Sequence, residues 1–234
     1  MNSIKKYIWV IMIFALVSVN SIAIKRNADA IHQKPSYKYL KSVTVYIEGA
    51  SYTVIHSPNS TDAEAEHWVG TGVVVKVDKD YTYILTNNHV AGMNKLYVQI
   101  CIHNLGKKIY CDVIAKHPTQ DLALVRVKGQ LKGKEVVKGL SYPIITEPVY
   151  TVGHALGRPF IYGEGVFSGT IIEHDIYQLP CIGGQSGSGI FSKEGYLLGL
   201  VYSVFGGMNY QLDFTRANAV KGIYLKEFLE ENLK

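Results

Sequence analysis

Apolar residues along most of this chain recur at every second position or in short runs, the spacing of strands rather than helices. Val43, Val45 and Ile47 share one face of a first strand over residues 42–47. Residues 68–77 and 81–86 read as a strand pair around the turn Asp78-Lys79-Asp80. Residues 96–103 and 108–115 form a hairpin around Asn104-Leu105-Gly106-Lys107, and 122–127 makes a further strand. Between the first two strands, residues 56–67 are polar and read as a loop, which contains the glycosylation-type pattern Asn59-Ser60-Thr61. This density of short strands predicts a closed barrel or a sandwich.

A Gly- and Lys-rich connector, residues 129–147, leads to a second set of strands at 148–152, 165–172, 176–179, 189–192, 196–203 and 209–215. The period changes only at the end. Val220, Ile223, Tyr224 and Phe228 fall on one helical face with Lys226, Glu227, Glu230 and Glu231 outside, so 217–234 is expected to be a helix packed on the second strand set. The fold class expected is all-β.

The first residues are of a different kind. Lys5 and Lys6 precede an apolar run, small residues stand at Ser21 and Ala23, and Lys25-Arg26 follows. Residues 1–23 therefore read as an export signal, with an uncleaved anchor through residues 7–24 as the rival, followed by a polar linker over 24–40. Either reading places the domain outside the cytosol: periplasmic, secreted or membrane-anchored.

Composition adds exclusions. Of 234 residues 47% are hydrophobic and 18% charged, an ordinary globular balance. The net charge of +5 includes Lys5 and Lys6; without residues 1–23, 22 basic residues face 19 acidic ones, leaving +3. That is too mild for a nucleic-acid partner, and no basic stripe with interleaved aromatics occurs. Cys101 and Cys111 flank the expected hairpin and can pair in an oxidising compartment, which leaves Cys181 over. There is no CxxC, HExxH or clustered ligand set, so neither metal nor cofactor is expected.

The candidate chemistry sits at Gly183-Gly184-Gln185-Ser186-Gly187-Ser188-Gly189. Glycines permit a tight turn that lifts the Ser186 hydroxyl out of the wall and brings the amides of Gly184 and Ser186 together, as an acyl-transfer nucleophile needs. A serine requires a base, and the base a carboxylate to hold its tautomer. His89 follows a strand end in Thr86-Asn87-Asn88-His89-Val90, and Asp121 opens a strand in Thr119-Gln120-Asp121-Leu122-Ala123-Leu124-Val125. The order separates the possible families. An α/β-hydrolase places its histidine after the serine, whereas all 8 histidines here precede Ser186. A subtilisin order would need an aspartate before His89 in an α/β sheet that the sequence does not show.

These three motifs, in this order, resemble those of trypsin-like serine proteases. Asp121-Leu122-Ala123-Leu124, Gly70-Thr71-Gly72-Val73 and Val152-Gly153-His154-Ala155-Leu156-Gly157 are most similar to the Deg/HtrA branch. The resemblance covers about residues 42–228. It implies two six-stranded antiparallel β-barrels, at 41–128 and 148–216, with a cleft between them. It implies His89 as general base, Asp121 as its orienting partner, Ser186 as nucleophile, and the Gly184 and Ser186 amides as oxyanion hole. It also places Pro180, Cys181, Tyr202 and Ser203 around the specificity pocket. With no acid at Pro180, a small or medium apolar side chain is expected there rather than a basic one. Gln185 stands where digestive proteases carry an aspartate, so activation by a newly cut N-terminus is not expected. The partner implied is a polypeptide substrate in extended form. The competing readings are a non-catalytic or gated peptide-binding module on the same fold, and a maturation protease dedicated to one partner.

Overall fold

The computed structural model describes residues 34–57, 60–93, 98–206 and 212–233. The signal or anchor segment and most of the expected linker lie outside them, as does Asn59. Among the described residues no helix is long and apolar enough to cross a membrane.

The unit Pro35–Lys234 begins with a helix, α1 (Tyr37–Val43), which spans the end of the expected linker and takes Ser42 and Val43 from the expected first strand. Ser36 caps it, its Oγ accepting the Tyr39 N–H at 3.1 Å. The Tyr39 hydroxyl then donates to Gly195 O at 3.0 Å, which ties the helix to the C-terminal half.

The first strand set comprises β1 (Thr44–Ser57), β2 (Ser60–Val77), β3 (Tyr81–Thr86), β4 (Gln99–Asn104), β5 (Lys107–Tyr110), β6 (Asp112–Lys116) and β7 (Ala123–Lys128). The expected loop at 56–67 is instead the far end of a long hairpin, since β1 and β2 pair from Thr44↔Val73 out to Ser57↔Ser60. Glu64, Ala65, Glu66 and His67 are exposed, so this part of the hairpin carries no apolar alternation to betray it.

The sheet order is β5-β4-β1-β2-β3-β7-β6, an open seven-stranded sheet rather than the expected closed barrel. The reason lies at Cys111. Its N–H donates to Ile100 O on β4 at 2.8 Å, and the next residue, Asp112, already pairs with Arg126 on β7. One bent stretch of chain thus serves both edges of the curled sheet, and a covalent corner stands where a ladder would close it. Cys101, Cys111 and Cys181 are all free thiols in this structure, which thus does not contain the Cys101–Cys111 pairing that the sequence allows.

The second set does form a closed barrel, ordered β10-β13-β12-β11-β8-β9. Its strands are β8 (Pro148–Gly153), β9 (Ile161–Ile171), β10 (His174–Gln178), β11 (Gly189–Phe191), β12 (Leu197–Gly206) and β13 (Leu212–Lys221). The closing helix, α2 (Gly222–Asn232), starts five residues later than expected because β13 continues to Lys221.

Three apolar cores explain why so many strands are apolar on both faces. Val45, Ile47, Val74, Ile84, Ala123 and Val125 fill the inside of the first sheet. Val149, Phe167, Tyr177, Ile190, Leu198 and Ala219 fill the barrel. Their sequence neighbours Val73, Leu85, Leu124, Tyr150, Phe191, Leu197 and Val220 point the other way into a shared core, together with Leu40 of α1 and Leu225 and Phe228 of α2. Period-2 alternation thus feeds one core inside each half and one core between them. The halves are held by this third core, and the functional residues sit where their strand ends meet.

Phe228 is 2% exposed and belongs to the shared core. Phe228→Ala is expected to cost about 3–5 kcal/mol in urea unfolding. Lys226→Ala, which removes only an exposed pair to Glu230 at 3.9 Å, should stay within about 0.5 kcal/mol.

Candidate active site

His89 sits on a single helical turn after β3, in which Ala91 N–H bonds Asn87 O and Gly92 N–H bonds His89 O. Val90 and Ala91 bury themselves in the core of the first sheet and hold this turn from beneath. The Trp68 indole N–H donates to Val90 O at 2.8 Å and holds it from the side.

Asp121 lies just before β7, where the adjacent Leu122 is buried in the shared core. Both of its carboxylate oxygens are engaged by His89. Oδ1 accepts the His89 backbone N–H at 3.0 Å, and Oδ2 stands 2.6 Å from Nδ1. Asn87 adds a bond from its side-chain amide to Asp121 O at 2.8 Å. An ionised carboxylate only accepts, so Nδ1 carries the proton and Nε2 keeps its lone pair. This is the tautomer a general base requires.

Ser186 stands on the glycine-rich turn, and Thr71 of β2 grips that turn at two points. The Thr71 N–H donates to Ser186 O at 2.8 Å, and Thr71 Oγ1 donates to Gly184 O at 3.0 Å. Two glycines make the approach possible. Gly187 has φ +85°, and a Cβ there would stand 1.9 Å from Thr71 O. Gly184 has φ +90°, and its Cβ would stand 2.4 Å from His154 O. A side chain at Gly187 would force the turn away from β2, and one at Gly184 would force it away from the loop at 154–157.

The turn also fixes its own amides. Gly183 O accepts the Leu156 N–H at 2.7 Å, and Gln185 O accepts the Ser188 N–H at 2.9 Å. Across a trans peptide the N–H points opposite to the C=O. The Gly184 and Ser186 N–H groups are therefore turned away from those anchors, and neither has an acceptor among the described residues. Ser186 Oγ donates to Tyr202 O at 3.4 Å; among the described residues it makes no hydrogen bond to His89.

Several neighbours have roles that the sequence pattern does not announce. Gln185 is buried, and its Oε1 accepts the Ile182 N–H at 2.8 Å, closing the loop that precedes the serine. Ser188 is buried and has no positive φ, so its backbone accommodates a side chain there. His154 is fully buried: its ring Nδ1 and its backbone N each lie 3.1 Å from Thr71 Oγ1. Burial, with the charges of Lys134 and His103, pushes the His154 imidazole down to about 3.

Of the residues expected around the specificity pocket, Tyr202 lies beside Ser186 through its carbonyl, and Ser203 Oγ accepts from Asn218 Nδ2 at 3.0 Å. Cys181 is buried in the barrel core, and burial pushes its thiol up to about 12, which leaves it a poor nucleophile. Pro180 lines a depression of about 440 Å³ with Glu164, Val166, Gln178 and Thr215.

One group could be read as metal ligands. Glu48, Cys101 and His103 bring donor atoms within 4.8 Å of one another. Both Glu48 oxygens are already paired at 2.7 Å, to His103 Nε2 and to Lys108 Nζ, and the Lys108 hydrogen bond leads in holding this carboxyl below its usual range. The group is better described as an ion-pair cluster.

The depressed His154 makes the fold sensitive to acid in a definite window. Its folded value lies below the unfolded one, so stability should fall as pH drops from about 6.5 towards 3, with a slope of at most about 1.4 kcal/mol per pH unit. Urea unfolding of wild type and His154→Asn at pH 7, 5 and 4 should show a shallower slope in the variant. Equal slopes would mean that His154 does not supply the effect.

The comparisons with known proteins agree with this geometry. The family model for the trypsin-like peptidase domain matches residues 70–200. A relative described as "Probable periplasmic serine endoprotease DegP-like", from Buchnera aphidicola subsp. Schizaphis graminum, is 30% identical over 195 residues, 76% of this chain and 38% of its own. A "Serine protease HtrA-like" from Staphylococcus aureus is 32% identical over 160 residues, 60% of this chain and 20% of its own. This chain thus spans well under half the length of these relatives. Among solved structures, the HtrA-type protease AlgW with decapeptide superposes with a TM-score of 0.65 at 16% identity, over 85% of this chain and 68% of that one. The Rv3671c protease from M. tuberculosis in its active form gives 0.65 at 18%, over 87% and 86%. At that identity the structural likeness speaks for the fold alone. The matched family segment runs from the strand that carries Thr71 through His89 and Asp121 to the Ser186 turn, and with it the chain belongs to the trypsin-like peptidase family.

Proposed function

We propose that this chain is a serine endopeptidase that cleaves extended polypeptide outside the cytosol. One observation carries the reading: a serine turn with two N–H groups that have no acceptor among the described residues, in the same fold as a histidine whose tautomer is set by a fully engaged aspartate. In this reading Ser186 Oγ attacks the scissile carbonyl carbon while His89 Nε2 takes the hydroxyl proton. Asp121 holds the imidazolium that forms. The Gly184 and Ser186 N–H groups receive the charge that develops on the carbonyl oxygen. The imidazolium then gives its proton to the leaving amine, and water, deprotonated in turn by His89, hydrolyses the acyl-enzyme.

The substrate class follows from the family and from the names its relatives carry, a periplasmic endoprotease and a protease bound to a decapeptide. The apolar preference at the first subsite rests on Pro180, Cys181, Tyr202 and Ser203, none of which is acidic. A gated enzyme is the second reading, favoured by the Ser186 hydroxyl, which rests on Tyr202 O rather than on His89.

Hydrolysis of an unfolded protein such as reduced casein tests the proposal. Ser186→Ala and His89→Ala should each abolish cleavage. Asp121→Asn should lower kcat by about 10⁴-fold, because it frees the imidazole to take the wrong tautomer. Thr71→Val should lower kcat by about tenfold with KM unchanged, as expected for the loss of roughly one hydrogen bond that positions the oxyanion peptide. Equal cleavage by wild type and Ser186→Ala would refute the assignment.

A further inference from the structure

A cavity of about 800 Å³ lies away from the serine turn, between α1, the tip of the β4–β5 hairpin, the connector at 132–135 and the loop at 154–160. Its volume is that of a site for a small organic ligand. Tyr46, Leu105, Pro159 and Phe160 supply apolar wall, and Lys38, Lys41, Lys132 and Lys134 supply charge.

These four cations outnumber the acid beside them. Among the described residues none of them is ion-paired, and Glu135 is the one acid in the wall. Lys134 is the most committed. Its Nζ bonds Lys41 O at 3.0 Å and also Thr44 O, at the C-terminal end of α1. Lys134 and Lys41 each stand 4.8 Å from the centre of the Phe160 ring. Burial and the Lys41 charge push the Lys134 amine down to about 8, as expected of a cation with no anion beside it. Charge of one sign over apolar and aromatic wall is the complement of an anionic head on an apolar body.

A second observation comes from His154, which lines the same cavity. The Thr71 hydroxyl has a single proton, which goes to Gly184 O, so it must accept from His154 Nδ1–H as well as from the His154 backbone N–H. That leaves His154 Nε2 as a bare acceptor, buried and without a partner among the described residues. The ring is held between Tyr46, with centroids 5.1 Å apart, and Phe160, at 4.8 Å, both of them cavity walls. Phe160 and Leu156 take φ of +58° and +52°, so the loop that joins this wall to the Gly183 anchor is under backbone strain.

We propose that this cavity binds a small carboxylate amphiphile, and that its occupancy reaches the oxyanion peptide through His154, Thr71 and Gly184. The head lies among the lysines and the body against Tyr46 and Phe160. Shifting either ring shifts the imidazole that fixes the Thr71 hydroxyl. The binding half stands on the cavity alone, while the coupling half rests on the reading of Ser186 as nucleophile.

The test uses the full chain with 4-phenylbutyrate as probe and 4-phenylbutan-1-ol as its neutral counterpart. Calorimetric titration of Ser186→Ala, in which catalysis plays no part, should give saturable one-to-one binding of the carboxylate, with the alcohol at least tenfold weaker. Adding Lys41→Gln and Lys132→Gln, both exposed, should weaken the carboxylate at least tenfold while the circular dichroism spectrum stays unchanged. Unsaturable binding, equal binding of acid and alcohol, or indifference to the lysine changes would overturn the site. In the wild type, the rate of fluorophosphonate labelling should shift at least threefold with the same half-saturation as binding. Saturable binding with an unshifted rate would overturn the coupling.

Discussion

The site hangs on one residue of the first sheet gripping a turn of the second barrel. Thr71 gives its N–H to Ser186 O and its hydroxyl proton to Gly184 O, and its carbonyl comes so near Gly187 that no Cβ fits between them. The same carbonyl accepts the Thr86 hydroxyl at 2.7 Å, at the end of the strand that leads to His89. The Ser186 turn and the strand that leads to His89 thus share a fixed neighbour. The shared core beneath, with Val73 next to Thr71 and Leu85 next to Thr86, keeps that neighbour in place.

This arrangement divides the work between side-chain chemistry and backbone geometry. The His89–Asp121 pair is local to the first sheet and is satisfied without the barrel. The serine turn draws on both halves, because Gly184 O depends on Thr71 of the first sheet while Gly183 O depends on Leu156, in a loop of the barrel itself. In the proposed mechanism the base is therefore set by one half and the oxyanion donors by contact of both. Preorganised donors of this kind act without reorganisation during the reaction, which is why their fixed orientation matters more than their number.

The three residues of the proposed triad stood out in the sequence because the chemistry proposed for them demands particular residue types, and the structure places each at a strand end: His89 after β3, Asp121 before β7, Ser186 before β11. The strands of the two inner cores were legible from their alternation. The positioning contacts were not, since Thr71 meets His154 and Gly184 across 83 and 113 residues of chain. A hydroxyl and a buried imidazole at that separation leave no local trace. The helix α1 was hidden by its seven residues, too few to show a period. The outer part of the β1–β2 hairpin was hidden because 56–67 is a mostly polar sequence, with Glu64, Ala65, Glu66 and His67 exposed. The missing closure of the first barrel turns on Cys111, where one residue changes a strand's partner from β4 to β7. At the other end, Ala217, Ala219 and Val220 alternate between the barrel core and the shared core, although Val220 also fits the helical face that follows.

The central claim is that Ser186 is the nucleophile and that His89 activates it. Intact-mass and peptide-level mapping of the protein after reaction with a fluorophosphonate tests this most directly. The account predicts a single adduct, located on Ser186 and absent from the His89→Ala protein. An adduct on another residue, or undiminished labelling of Ser186 without His89, would contradict it.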